Sequence, residues 1–187
     1  SALVCGLPKN QGGTQVMEEN IYVSGNIGDA ALALAAWQGQ CLLTVDSATY
    51  LNRRLNRPTP QVELGLLLRE YASACIDISD GLLADIGHIT MESNVGAKIN
   101  FEDISLSKEL RSNLTDEELI ISLVLSGGDD YELCFTLPKE KQSEFDNTIL
   151  EYGIRVSCVG EIDSESGVRC FLNNKEVKFK ELGFQHF

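Results

Sequence analysis

Histidine is almost missing from this chain, with only His88 and His186 among 187 residues. Six cysteines stand at 5, 41, 75, 134, 158 and 170, and no two of them form a CxxC pair. Together these absences exclude zinc-ligand spacing, and two histidines so placed support no Ser-His-Asp set. Several cysteines lie in apolar runs such as "SACID" and "ELCFT" and are expected to be buried, reduced thiols. No GK[ST] closes a glycine loop, which excludes a Walker A cradle, and GxGxxG is absent. The EF-hand spacing is not met either, and His88 stands where that loop needs glutamate. The longest uncharged run, Ala30 to Val45, is broken by Gln38, Gly39 and Gln40. A membrane span needs roughly 20 apolar residues, so this run reads as a buried helix followed by a strand or turn. No charged segment precedes an apolar one at the start, so no signal peptide is expected and the cytoplasm is the expected compartment. Positive charge is scarce, with 15 Lys and Arg against 28 Asp and Glu, a net charge of −13. A chain that acidic repels nucleic-acid backbones. Small phosphates held through metal ions stay compatible with it, because a cation lets carboxylate and phosphate share a site.

What is present is an ordinary globular composition, 43% hydrophobic and 23% charged, long enough for one domain with a real core. "IYVSG" predicts a buried strand ending at glycine, and "IGDAALALAAWQ" a helix. "TYLNRRLNRP" reads as a short helix stopped by Pro58, and "QVELGLLLREY" as another. "SACID" predicts a buried strand. After Asp80 the apolar residues Leu82, Leu83, Ile86 and Ile89 take helical spacing, so "IDISDG" is a strand-to-helix turn. "AKINF" follows as a strand. "TDEELIISLVL" reads as a helix opened by a capping box from Thr115 to Glu118. "DYELCFTL", "KEKQSEFDNTILEYG" closed by Gly153, and "RVSCVGEI" predict a βαβ unit. "GVRCFLNNKEVKF" predicts a hairpin through Asn173 and Asn174. With no repeat, low-complexity stretch or linker, the expected fold is one α/β domain, a mixed sheet with helices packed on it.

Three stretches carry possible chemistry. In "IDISDGLLADIG", Asp77, Ser79, Asp80 and Asp85 sit among isoleucines and leucines, and acids resist burial unless something positive meets them. Asp77 and Asp80, three apart across a tight turn, are expected to converge in front of a helix N-terminus. An all-oxygen set of that kind suits Mg²⁺. The competing reading makes Ser79 or Asp80 a helix cap and Asp77 a turn former. "SGGDDYELCF" sets two glycines and two aspartates before a buried strand, either a ligand-approaching loop or a plain connection. "SGNIGDAA" is a third glycine turn, best read as structural. His88 is expected to be structural as well, and the aromatic ending "GFQHF" either packs on the body or stacks on a ring-shaped ligand.

Taken together, "VSGNIGDAALAL", "ACIDISDGLLADIGHI", "LSGGDDYELCFT" and the ending "LGFQHF" resemble thiamine-monophosphate kinases, in order and spacing, over nearly the whole chain. The match is to the C-terminal half of that family, within the aminoimidazole-ribonucleotide-synthetase-like superfamily. The resemblance implies residues 1–20 as the end of a preceding domain or a connecting segment, and 21–187 as the C-terminal domain. It implies transfer of the γ-phosphoryl of ATP to thiamine monophosphate with Mg²⁺, giving thiamine diphosphate. It assigns Asp77 and Asp80 to metal, Ser79 to ATP, and Asp129 and Phe184 to the thiamine substrate. It also implies a homodimer formed through the preceding domain, and neither nucleic acid nor membrane as partner. Two departures stand out. Asp129 occupies a position where family members often carry glutamate. "GGTQVMEEN" replaces the family's arginine followed by SGAKxGD, with Gly12 about where the arginine falls.

Two other readings compete. One is a different ATP-dependent synthetase of the same superfamily, against which "GGDDYEL" and the aromatic ending argue. The other is a module that holds a phosphorylated ligand without chemistry. Half an active site is expected to be inactive alone, since its remaining acidic ligands belong to the other half.

Overall fold

The computed structural model describes residues 18–177. The elements run β1 (Glu19–Ser24), α1 (Asp29–Trp37), α2 (Val45–Asn56), α3 (Val62–Tyr71), β2 (Ala74–Asp77), α4 (Leu82–Ser93), β3 (Gly96–Asn100), α5 (Lys108–Asn113), α6 (Glu117–Ser126), β4 (Leu133–Pro138), α7 (Gln142–Tyr152), β5 (Val156–Asp163), β6 (Gly167–Leu172) and β7 (Lys175–Glu176). One seven-stranded sheet has the order β2-β4-β1-β5-β3-β6-β7. Its pairs are antiparallel except β3 with β6, which makes the mixed sheet the composition and patterning predict.

The sheet has a helical layer on each face, and the alternation along the strands divides the core. Ile21 and Val23 of β1 and Cys134 of β4 point into a large cluster with Ile27, Leu32, Leu51, Ile86 and Val124. Tyr22, Phe135 and Leu137 point the other way and meet Leu64, Leu68 and Tyr71 of α3 and Phe145 of α7. Tyr22 and Phe135, cross-strand partners, stack with ring centroids 5.5 Å apart. Phe145 packs edge-on against both at 5.6–5.8 Å, a favoured aromatic geometry.

Several expectations need correction. The predicted βαβ unit is split, because β1 lies antiparallel between β4 and β5. β1 is buried along nearly its whole length, so it takes a central place and separates the two strands that α7 joins. The helix over 117–126 is capped by Asp116 and not Thr115. The Asp116 carboxylate accepts the N–H groups of Glu118 and Leu119 at 3.0 and 3.2 Å, and an anion there also faces the positive helix end. Of the five described cysteines, none is in a disulfide; Cys134 and Cys170 are buried, but Cys158 is exposed. The hairpin stands as expected, with Asn173 and Asn174 both left-handed at φ 52° and 61°, the type I′ requirement. Gly153 closes α7 at φ 64°.

Candidate functional site

β2 ends at Asp77 and α4 begins at Leu82, so Asp77, Ser79 and Asp80 lie between a strand end and a helix start. Neither Ser79 nor Asp80 caps the helix. Gly81 holds the cap position with no side-chain bond. Asp85, one turn inside α4, reaches back instead. Its Oδ2 accepts the backbone N–H groups of Ser79, Asp80 and Gly81 at 3.0, 3.2 and 3.2 Å. Asp85 is 2% exposed. Burial raises its pKa, against the lowering effect of those three bonds. An anionic carboxylate oxygen, an acceptor only, gathers several amide donors more strongly than a neutral hydroxyl does. That leaves Ser79 and Asp80 free of the capping task.

The second motif is laced onto this turn. Ile78 donates its N–H to the Glu132 carbonyl at 2.8 Å, and the Tyr131 N–H returns to the Ile78 carbonyl at 2.9 Å. The Asp129 N–H donates to the Ser79 carbonyl at 3.0 Å. Such contact requires glycine at 128, where a Cβ would run into the Ser79 carbonyl oxygen. Asp129 and Tyr131 are both left-handed, at φ 65° and 53°. For residues with side chains this costs on the order of 1–3 kcal/mol each and persists only where surrounding structure holds it.

Ser79, Asp80, Gly127, Gly128, Asp129 and Tyr131 line a cavity of about 410 Å³, whose other wall is largely apolar, from Ala30, Ala31 and Leu34 of α1 and Leu123 of α6, with Gln38 and Gln40 just past the end of α1. Asp129 and the Ser79–Asp80 turn therefore open together. Asp77 differs from expectation. It lines an adjoining groove with Gln61, Val62 and Arg69 beside the edge strand β2, because it is the last strand residue and its neighbour across the pleat faces the other way. The Tyr131 hydroxyl lies in the field of all three carboxylates. Asp129 foremost, then burial, with Asp77 and Asp80 contributing, raises its pKa. It donates a long bond to Asp129 Oδ1 at 3.4 Å. Among the described residues no ion pair reaches Asp77, Asp80 or Asp129, so their oxygens are available to a hard cation. Asp80, Asp85 and His88 also bring ligand atoms within 4.8 Å of one another, although Asp85 spends one oxygen on the turn. Phe184 and Gly12 lie outside the described residues.

Beneath the cavity is a buried charged group that the sequence reading missed. Asp130 accepts the N–H groups of Gly28 and Ala30 at 2.6 and 3.3 Å. The glycine turn "SGNIGDAA" is thus a cradle filled by the protein's own carboxylate. Burial pushes the Asp130 pKa up to about 7, with the Gly28 and Ala30 bonds and Arg54 opposing. Glu132 accepts from Ser24 Oγ at 2.5 Å and from Arg54 at 3.0 Å. Asp29 accepts from Ser107 Oγ at 2.5 Å and from the Tyr50 hydroxyl at 3.1 Å, with Arg54 Nε 3.7 Å away. The available signal was the alternation Asp130, Glu132 running into a buried strand, which places two acids on the inward face.

With this geometry in view, comparison with known proteins is specific. The family model of the AIR synthase related protein, C-terminal domain, matches residues 18–173. Thiamine-monophosphate kinase of Buchnera aphidicola subsp. Schizaphis graminum is 40% identical over 169 residues, 89% of this chain and 52% of that protein. The Escherichia coli K12 enzyme of the same name is 36% identical over the same shares. Among solved structures, thiamine-monophosphate kinase from Stenotrophomonas maltophilia superposes with a TM-score of 0.77 at 38% identity, covering 87% of this chain and 52% of that one. AaThiL complexed with AMPPCP and TMP superposes at 0.73 with 31% identity, covering 92% and 52%. The chain spans about half the length of these relatives. It belongs to the family of the AIR synthase related protein C-terminal domain and is homologous to the C-terminal half of thiamine-monophosphate kinases.

Proposed function

We propose that this chain supplies the C-terminal half of an active site that phosphorylates thiamine monophosphate to thiamine diphosphate with ATP, residues 1–20 being the junction with a preceding domain. The observation that carries the reading is the cavity in which Ser79, Asp80 and Asp129 open together against a largely apolar wall. A substrate with a phosphate at one end and an organic ring at the other needs both surfaces. The relative solved with AMPPCP and TMP, 31% identical to this chain, supports the same pairing of ligands.

The residues present fit Mg²⁺. Asp80 and Asp77 offer carboxylate oxygens that no described cation occupies, and the donor set is all oxygen. Asp77 and Asp80 are the residues that would hold it. When bound, the ion neutralises phosphates that otherwise repel one another and helps hold them in line. Ser79, fixed by the Asp85–amide bonds, presents its hydroxyl to ATP. Asp129 holds the thiamine substrate, and Phe184 is assigned to the same organic end. No general base is required, because a phosphate monoester oxygen is already ionised near neutral pH, its second pKa being about 6. This accounts for a phosphotransfer site without a histidine in the cavity. Phosphoryl transfer between two anions needs more positive charge than two carboxylates hold in place, so the chain alone is expected to be inactive.

Calorimetry of the purified chain with thiamine monophosphate and ATP in Mg²⁺, beside a coupled ADP-release assay, tests this. Binding without turnover is expected. Turnover of about 1 s⁻¹ or faster overturns the half-site assignment, and failure to bind either ligand overturns the substrate assignment.

A further inference from the structure

The segment Gly127–Glu132 alternates in a way its surroundings explain. Asp129 is exposed and Tyr131 is 40% exposed, while Asp130 and Glu132 are each 2% exposed. The two outward residues carry the left-handed backbone. The two inward carboxylates are the anchors. Asp130 is held by the first amides of α1. Glu132 is held by Ser24 and by the guanidinium of Arg54. The same Arg54 nitrogen donates to the Asn26 carbonyl at 3.0 Å, and Nε faces Asp29. One side chain from α2 thus ties together the loop before α1, α1 itself and the cavity-lining segment.

We propose that Arg54 is a positioning residue for the cavity: from the buried side it holds the segment in the register that turns Asp129 and Tyr131 outward. It is the only cation paired with the buried carboxylates Asp29 and Glu132 among the described residues, and its charge also acts on the neighbouring Asp130. Without it Glu132 must take up a proton or move toward water, since an unpaired buried charge is not tolerated. Such a move is passed on directly. The Glu132 carbonyl holds the Ile78 N–H, and the Tyr131 and Asp129 amides hold the carbonyls of Ile78 and Ser79. The turn and the segment would lose their shared register, and with it the alignment of Ser79, Asp80 and Asp129. A lysine does not replace the arginine, because one terminal nitrogen serves Glu132 and Asn26 while Nε, a second nitrogen held rigidly in the same plane, faces Asp29 at 3.7 Å, and a single ammonium cannot stand at both places.

The proposal rests on the substrate reading above for what the cavity binds, and not for what Arg54 does to the segment. The test is Arg54→Lys in the full chain, with two measurements. Hydrogen exchange by NMR reads the Asp129 and Tyr131 amides against those of central strand β5. Calorimetry reads thiamine monophosphate in Mg²⁺. The expected result is a loss of about tenfold or more in protection at Asp129 and Tyr131, with β5 unchanged, and about tenfold weaker affinity, the scale of one charge-assisted hydrogen bond. Unchanged protection in the folded variant overturns the proposal, and so does unchanged affinity despite lost protection. If Arg54→Lys does not fold, Glu132→Gln carries the same two measurements, since it loosens the pair while keeping the cation. If the parent chain takes up no thiamine monophosphate, the substrate reading fails and the exchange measurement alone decides whether Arg54 holds the segment.

Discussion

The two faces of the sheet are held by different physics. Toward α3 and α7 lies an apolar cluster of seven buried residues built around stacked Tyr22, Phe135 and Phe145, with no buried charge in its membership. Toward α1, α2, α4 and α6 the core is larger, but at its edge it gives way to Asp29, Asp85, Asp130, Glu132 and Arg54, nearly all water-excluded. Burying charge is costly, and packing apolar groups of the same size is often as stabilising or more so. The charged side therefore makes sense as a device for shape. These four carboxylates are each bonded to backbone amides, hydroxyls or the guanidinium, and their exposed neighbours Asp80 and Asp129 are left open to the cavity. The contrast predicts that stability and ligand binding separate along the same line.

The largest effect is expected on the apolar face. Phe145→Ala removes a fully buried ring and should cost about 3–5 kcal/mol, read as a shifted urea midpoint. Affinity of the folded fraction for thiamine monophosphate should not change; a parallel loss of affinity would mean the two faces are not separable. Next comes Asp85→Ala on the charged side. Three amides lose their acceptor, for a cost of about 2–4 kcal/mol, and here affinity should fall as well, because the Ser79–Asp80 turn is what those bonds shape.

A subtler test uses pH. Folded Asp130 titrates at about 7 against an ordinary 3.8, so between those values the folded state keeps a proton that the unfolded chain has released. Its contribution to stability is full at the acid end of that window and declines as pH rises through it. Unfolding free energies of the parent should therefore fall from pH 5 to pH 7 relative to Asp130→Asn. A parent and variant with parallel pH profiles would show that Asp130 is ionised throughout. The smallest effect on stability belongs to Asp80→Asn and Asp129→Asn. Both side chains are exposed and in no ion pair among the described residues, and Asp129 makes only the long bond from Tyr131, so unfolding should shift by no more than about 0.5 kcal/mol. Mg²⁺-dependent binding of thiamine monophosphate should nevertheless weaken about tenfold or more, the scale of one charged contact. Substantial destabilisation without loss of binding would move these residues to the structural side of the contrast.

Local order was legible because it is encoded locally. The switch from the run Ala74–Ile76 to the spacing Leu82, Leu83, Ile86, Ile89 locates a strand-to-helix turn wherever the strand sits in the sheet. Asn173–Asn174 and Gly153 predict left-handed backbone for the same local reason, since short or absent side chains tolerate it. The approach of the motifs at 77–80 and 126–135 was legible through resemblance and through the tendency of ligands to gather at strand ends. The order of the strands was not, because pairing depends on which surfaces are left after every strand has competed for the centre. Nothing in "IYVSG" says that it enters between β4 and β5. Nor do residue types at the boundary of α4 reveal that Asp85 shapes the turn. Ser79 and Asp80 are equally good caps by type, and only the inward rotation of the helix puts Asp85 beneath the amides. Arg54 is the clearest case. In sequence it is one of two adjacent arginines in a polar helix. Its meaning comes from Glu132, 78 residues away, because an ion pair is defined by distance in space and becomes strong only when folding removes the water around it.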